Sequence, residues 1–303
     1  SLAHVQGVVE KKNTLPILGN VMMETRNGSL KITATDLDII ITENLICDTI
    51  IEGTTTTTAQ VIYDIVRKLK TGSSLHITLK ENNRLKLISG KSDFNLTCIS
   101  SDEFPILEDN MDEEYLEVPS YEFLKIINKT KFSISNDETR HYLNGVYLDK
   151  RESENELVAV ATDGHRLALC DGPCEVALDD AKISAILPRK GIIELSRLLA
   201  DDQVMVSIGS NHIRVTGSDY CFTSKLVDGS YPDYDRVVPK GGDKLVVGDR
   251  EQLKQAFGRT AILSNEKYRG VRIGLVNGAM HLVANNPEQE EAQEEVQTIE
   301  VQI

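Results

Sequence analysis

The sequence predicts an α+β fold of repeated domains, each with helices on one face of antiparallel sheet. Three observations predict it. One passage is written three times, about 125 residues apart, a spacing that marks whole domains rather than solenoid units of roughly 20–50 residues. Windows of helical period come before windows that alternate apolar and polar residues. Turn signals separate the alternating windows.

The first copy reads Leu15-Pro16-Ile17-Leu18-Gly19-Asn20-Val21, then Gly28-Ser29-Leu30-Lys31-Ile32-Thr33-Ala34-Thr35-Asp36-Leu37-Asp38. The second reads Tyr142-Leu143-Asn144-Gly145-Val146, then Glu156 through Ala161-Thr162-Asp163-Gly164-His165-Arg166-Leu167-Ala168. The third reads Tyr268-Arg269-Gly270-Val271-Arg272-Ile273, then Gly278 through Val283-Ala284-Asn285-Asn286. Between copies, Ala59 to Lys70 places Val61, Ile62, Ile65, Val66 and Leu69 at helical spacing. Leu75 to Leu79 alternates as a half-buried strand, Asn82-Asn83 signals a hairpin, and 84–88 and 94–99 continue the meander. The same plan returns after the second copy. Gly191 to Ala200 is helical through Ile192, Leu195, Leu198 and Leu199, and strands follow at 204–208, 213–215 and 220–226. The run Thr54–Thr58 reads as a β-prone surface strand edge, and Glu288–Glu295 as a solvated acidic stretch or one that pairs with basic residues of a second copy.

Linkers fall at Asp102–Val118, rich in Asp and Glu, and at Pro239–Lys244 with Gly241-Gly242. The domains expected are 1–113, 114–241 and 242–303. Tyr115-Leu116-Glu117-Val118 and Lys244-Leu245-Val246-Val247 read as strands leading into helices. By that pattern the first domain lacks its leading strand, the third holds only its first half, and the chain reads as cut at both ends.

Composition narrows the function. No apolar run approaches the roughly 20 residues of a membrane span, and the first residues show no signal peptide. Five scattered cysteines fit a reducing, cytoplasmic setting. The net charge of −14 speaks at face value against nucleic acid. Its distribution says otherwise. The windows 1–13, 60–71, 120–131, 189–200 and 249–260 are each net positive and together carry +8, leaving −22 for the rest.

Sharper chemistry is weaker. Asp163 and His165 beside Arg166 invite an acid–base reading, but no Ser or Cys nucleophile motif accompanies them, and the first repeat has Leu37 and Asp38 where the second has Gly164 and His165. Cys170 and Cys174 with His165 lack the second ligand pair of a zinc site. Gly241-Gly242 is followed by no Gly-Lys-Ser/Thr. Neither catalytic residue, metal nor cofactor is expected.

Several motifs resemble those of the bacterial DNA polymerase III beta subunit family, the sliding clamps. They are Ala161 to Ala168, Pro188-Arg189-Lys190-Gly191, Phe222 to Gly229, Tyr231-Pro232-Asp233-Tyr234, Ala261 to Arg272 and Asn285 to Ala292. They are in order and span the chain. The resemblance implies a head-to-tail homodimer closed into a ring of six like domains, with helices lining the hole and DNA passing through. It implies a non-catalytic processivity factor whose partners are double-stranded DNA, the polymerase catalytic subunit, the clamp loader and other clamp-binding replication and repair proteins. By motif match it assigns DNA contact to Lys12, Arg140, His141, Tyr142, Arg189 and Lys190. It assigns a peptide cleft to Leu143, Thr162, Gly164, His165, Arg166, Leu167, Pro232, Arg236 and Val237, and the dimer contact to Phe104, Ile262 and Leu263. The other reading from a different class is a protein-interaction adaptor that reuses the clamp fold without encircling DNA.

Overall fold

The computed structural model describes residues 1–9, 15–105, 115–150, 155–176, 183–200, 202–276 and 278–302. They form two compact units, Ser1–Pro232 and Asp233–Ile303.

In the first unit, α1 (Leu2–Val8) precedes the meander β1 (Asn20–Arg26), β2 (Ser29–Thr35) and β3 (Ile39–Ile46). Then come β4 (Gly53–Thr58), α2 (Ala59–Val66), β5 (His76–Lys80), β6 (Arg84–Ser89) and β7 (Ser92–Ile99). The plan repeats with β8 (Leu116–Pro119), α3 (Ser120–Thr130), β9 (Gly145–Lys150), β10 (Glu156–Thr162), β11 (Leu167–Pro173) and the short β12 (Glu175–Val176). It continues with β13 (Ile183–Pro188), α4 (Arg189–Leu198), β14 (Gln203–Ile208), β15 (His212–Thr216) and β16 (Tyr220–Lys225). The order β3-β2-β1-β4 of the first repeat reappears as β11-β10-β9-β13 in the second. β16 pairs antiparallel with β3, Phe222 opposite Ile41, so one twelve-stranded sheet runs through both repeats.

The core is largely aliphatic, in a chain with no Trp and only six Phe. Ile32, Ile41, Leu85, Leu87, Ile126 and Ile127 are fully buried, together with Phe123 and Phe222. α1 packs on β2 and β3 and touches both α2 and α4; α4 touches α3. The helices therefore form a row, α2-α1-α4-α3. No helix among the described residues is long and apolar enough to cross a membrane.

The second unit holds β17 (Leu245–Gly248), α5 (Arg250–Thr260), β18 (Arg272–Val276), β19 (Ala279–Asn285) and β20 (Glu291–Gln302), in the sheet order β17-β20-β19-β18. Its core centres on Ala256, Leu282 and Val296. Asp249 caps α5 by accepting from the Gln252 amide at 2.8 Å.

Four expectations change. The helix after Ala59 ends at Val66, where the amides of Lys68 and Leu69 turn to the carbonyls of Ile65 and Val66, three residues back. β5 is an edge strand whose residues are all exposed, not half-buried. Thr54–Thr58 is no edge: β4 lies between β1 and β7, and Thr56 and Thr57 are buried. Their hydroxyls donate to Ile99 O at 2.8 Å and Thr97 O at 3.3 Å, which is what lets a threonine run lie inside a sheet. The acidic run largely becomes β20, because Glu291, Gln293 and Glu295 alternate with the half-buried Ala292 and Glu294 and the buried Val296.

β9 starts at Gly145, opposite Pro188 of β13. A Cβ at Gly145 would lie 2.9 Å from the Leu187 carbonyl carbon and closer still to its oxygen, so neighbouring backbone has to move to admit one. Gly145→Ala is expected to destabilise the chain by about 1–3 kcal/mol, read as a lower urea midpoint at unchanged slope.

Candidate nucleic-acid interface

The helix row carries its charges unevenly in depth. On α4, Glu194 and Arg197 are bonded at 2.8 Å; the Glu194 side chain is 6% exposed and that of Arg197 54%. On α3, Glu122 is 14% exposed and its partner Lys125 50%, again at 2.8 Å. That hydrogen bond is the main cause that raises the Lys125 ammonium above its usual range. Arg67 over Asp64 on α2 repeats the order more weakly. In the second unit Arg259 of α5 stands more open than Glu294 of β20. In each pair the carboxylate is the inner member and the cation the outer, so these helices present positive charge outward although every pair is neutral.

The side chains expected to contact DNA fare differently. Lys12 lies outside the described residues. His141 is exposed and meets Tyr142 edge-on, ring centroids 5.9 Å apart. The other three are engaged within the chain. Arg140 donates through Nε to Asp137 at 2.8 Å and through Nη2 to Asp163 O at 3.2 Å. The Arg189 amide donates to Asn144 O at 3.0 Å and its Nη2 to Ile134 O at 2.9 Å. Lys190 is ion-paired with Asp36. Arg140 thus joins the 3-10 segment Glu138–Leu143 to the cleft turn, two places that sequence reading kept apart.

That turn has the same bonding in both repeats. Asp36 Oδ1 accepts from the amides of Asp38 at 3.0 Å and Ile39 at 2.7 Å; Asp163 Oδ1 accepts from those of His165 and Arg166, each at 3.0 Å. Thr35 and Thr162 accept from the next amide but one, Leu37 at 3.0 Å and Gly164 at 3.1 Å. The residue between has φ +80° at Leu37 and +86° at Gly164. The third copy widens: Glu290 N donates to Asn286 Oδ1 at 2.9 Å, and Gln289 takes φ +67°. The second carboxylate oxygen sets each turn's company. Asp36 takes Lys190, while Asp163 takes Arg166 Nε at 3.0 Å. Burial pushes the Asp163 carboxyl upward, but the amides of His165 and Arg166 and the Arg166 guanidinium outweigh it and bring it from 3.8 down to about 2. It stays anionic and saturated with donors near neutrality, which removes it as a proton acceptor.

Around this turn the structure gathers most of the expected cleft. Leu143 is buried beneath the surface, Leu167 is half-buried opposite Thr162, and Gly164, His165 and Arg166 are exposed. Pro232 is exposed and follows Tyr231, whose ring stacks on Tyr147 at 4.7 Å and 3°. Burial pushes the Tyr231 hydroxyl up to about 12. Arg236, paired with Asp233 at 2.8 Å, and Val237 belong to the second unit and are exposed there. Of the residues expected at the dimer contact, Ile262 is exposed and Leu263 half-buried. Phe104, which follows the 3-10 turn Ser101–Glu103, is buried within the copy in a small core with Ile17, Leu18 and Met22. Sequence reading missed Asp137, Tyr147 and Phe132, whose ring lies 5.6 Å under the Arg166 guanidinium. Phe132 had a signal, an apolar residue placed off the buried stripe of α3. Among the described residues no three metal-ligating side chains cluster, and all five cysteines are free.

Two outcomes are expected. Gly164 combines φ +86° with an Arg140 Nη1 that a Cβ would meet at 2.6 Å, so Gly164→Ala should destabilise by about 1–2 kcal/mol and shift the Arg140 side-chain resonances. A depressed carboxyl contributes stability above its unfolded value of 3.8 and loses it as pH falls through about 2. The amide shifts of His165 and Arg166 should therefore titrate with a midpoint near 2; a midpoint near 3.8 would show that the Asp163 cap is absent.

Models of the three domains of the DNA polymerase III beta subunit match the chain: the N-terminal domain over residues 1–108, the central domain over 117–233 and the C-terminal domain over 235–301. The beta sliding clamps of Pseudomonas aeruginosa and Escherichia coli K12 are each 44% identical over 296 residues, which is 97% of this chain and 80% of theirs. A crystal structure of the P. aeruginosa clamp bound to griselimycin superposes with a TM-score of 0.94 at 42% identity, covering all of this chain and 81% of that one. A Caulobacter crescentus clamp gives 0.91 at 37% identity, covering 98% of this chain and 80% of that one. The α+β meanders, their repetition and these matches together place the chain in the DNA polymerase III beta-subunit family, as a non-catalytic sliding clamp.

Proposed function

We propose that the chain acts as a ring of two head-to-tail copies, built from domains 1–113, 114–241 and 242–303, which encircles duplex DNA and holds the polymerase on it. The observation that carries this reading is the depth order of charge on the helices, carboxylate within and cation without. A surface of that kind attracts phosphate without reading bases. The acidic remainder of the chain discourages DNA from settling elsewhere. Ile262 and Leu263 supply apolar contact between copies. The turn Thr162–Leu167 with Leu143 and Pro232 offers a seat for short peptides of the polymerase, the clamp loader and repair proteins, with apolar anchors supplying affinity. Arg140 and Arg189 shape that seat and the adjoining loop, while Lys125 and Arg197 join His141 and Tyr142 as groups facing DNA. Residence is cytoplasmic.

The test is retention on DNA. The protein is loaded with a clamp loader and ATP onto nicked circular DNA and passed through a sizing column in moderate salt, before and after the circle is linearised. Retention on the circle and loss from the linear form is expected. Equal behaviour on both would leave an adaptor that does not encircle DNA. For weak, unloaded duplex binding, Lys125→Gln and Arg197→Gln should each lower the slope of log affinity against log salt by about 0.9.

A further inference from the structure

Helix α3 and the turn after it carry two exposed aromatic rings that sliding along duplex DNA does not require. Its outward stripe reads Tyr121, Lys125, Asn128 and Lys129, and Phe132 extends it in the 3-10 turn Lys131–Ser133. These positions fall within about 100° of one another at 3.6 residues per turn. The two ends are aromatic and open: Tyr121 is 67% exposed and Phe132 58%. Of the chain's six phenylalanines, all described, Phe132 alone is exposed; Phe104, Phe123 and Phe222 are buried and Phe94 and Phe257 half-buried. Between the rings stand only cations and an amide. The acid on this helix, Glu122, is turned inward onto Lys125.

Phe132 is also held in place. Arg166 lies over its ring at 5.6 Å, donates through Nη2 to Phe132 O at 2.7 Å, and is itself fixed by Asp163 through Nε. A ring fixed on one face by a guanidinium and open to solvent elsewhere is ready to accept a second planar group.

We infer that the stripe Tyr121–Lys125–Lys129–Phe132 is a stacking site for a short stretch of single-stranded DNA. Eleven residues of helix separate the rings by about 16 Å, the length of about four to five nucleotides stacked at roughly 3.4 Å. Bases stack on Tyr121 and Phe132, and Lys125 and Lys129 meet the phosphates between them. Aromatic faces with interleaved cations bind single strands with little sequence preference. In duplex DNA the base faces are covered by their neighbours, so the rings offer a duplex nothing comparable. The site lies on α3 and the turn that follows it, within one copy of the chain, and does not depend on ring closure.

The experiment uses the full chain, fluorescein-labelled dT20 and a hairpin duplex of equal charge, by anisotropy at low salt. The chain has no Trp and nine Tyr, so the part of the tyrosine quenching by dT20 that is lost when Tyr121 is replaced reports that ring. Tyr121→Ala and Phe132→Ala are each expected to weaken dT20 binding roughly five- to 150-fold while duplex binding stays within about twofold. Tyr121→Phe should bind dT20 as the parent does and lose part of the quenching. Lys125→Gln with Lys129→Gln should weaken both DNAs and flatten the single-strand salt slope by about 1.4. If Phe132→Ala melts early by circular dichroism, Tyr121→Ala decides alone, because its ring supports no core. Dependence of dT20 binding on neither ring, equal losses on both DNAs, or no binding of dT20 by the parent would each overturn the site. Loss of circle retention with dT20 binding intact would instead strike at encirclement and leave the site standing.

Discussion

The arrangement rests on one carboxylate used in the same way in two places. Asp36 and Asp163 each close a tight turn by accepting two successive amides on one oxygen. That bond ends the second strand of each meander and starts the third in register. The other oxygen is free to choose a cation, and the choice separates the two repeats. In the first, Asp36 holds Lys190 at the start of α4, and Lys225 bonds Asp38 at 2.9 Å, so the turn ties the first repeat to the second beside the β3–β16 pairing. In the second, Asp163 holds Arg166, which in turn orients Phe132 and shares the turn with Arg140. One local motif thus serves as a joint in one repeat and as a working surface in the other.

Charge depth is the second organising fact, and it follows from helical spacing. An acid placed three residues from a base shares its side of the helix, yet the two differ in length. The shorter glutamate stays at the protein surface or beneath it, and the longer lysine or arginine extends past it into solvent. Ion pairs of this kind add little to stability. Their contribution here is to shape the field.

Much of this was legible in the residues. Helices α3 and α5 and the strands β8 and β17 before them were evident, since the strand-to-helix pattern recurs beside each expected linker. The repeats were visible because the same turn chemistry demands the same residue types, Thr-Asp followed by a position that tolerates positive φ. Glycine at 164 announced that position; leucine at 37 concealed it. What sequence could not carry was partnership at long range. Nothing local marks Thr56 and Thr57 as interior, because their burial depends on carbonyls of β7. Arg140 and Lys190 read as free cations until folding brought Asp163 and Asp36 to them. Phe104 matched an interface position, yet Ile17 and Met22, more than eighty residues earlier, draw it inward.

The inner carboxylates also bear on motion. An arginine or lysine already bonded to its own acid gains only the difference between two anions when a phosphate comes near. On the proposed function each contact with DNA would be an exchange, and the potential along the duplex would have shallow ripples instead of deep wells. A ring lined with unpaired cations would attract DNA more strongly and drag along it. In such a ring, built-in competition from Glu122, Glu194 and Asp64 would act as a lubricant, trading grip for low friction.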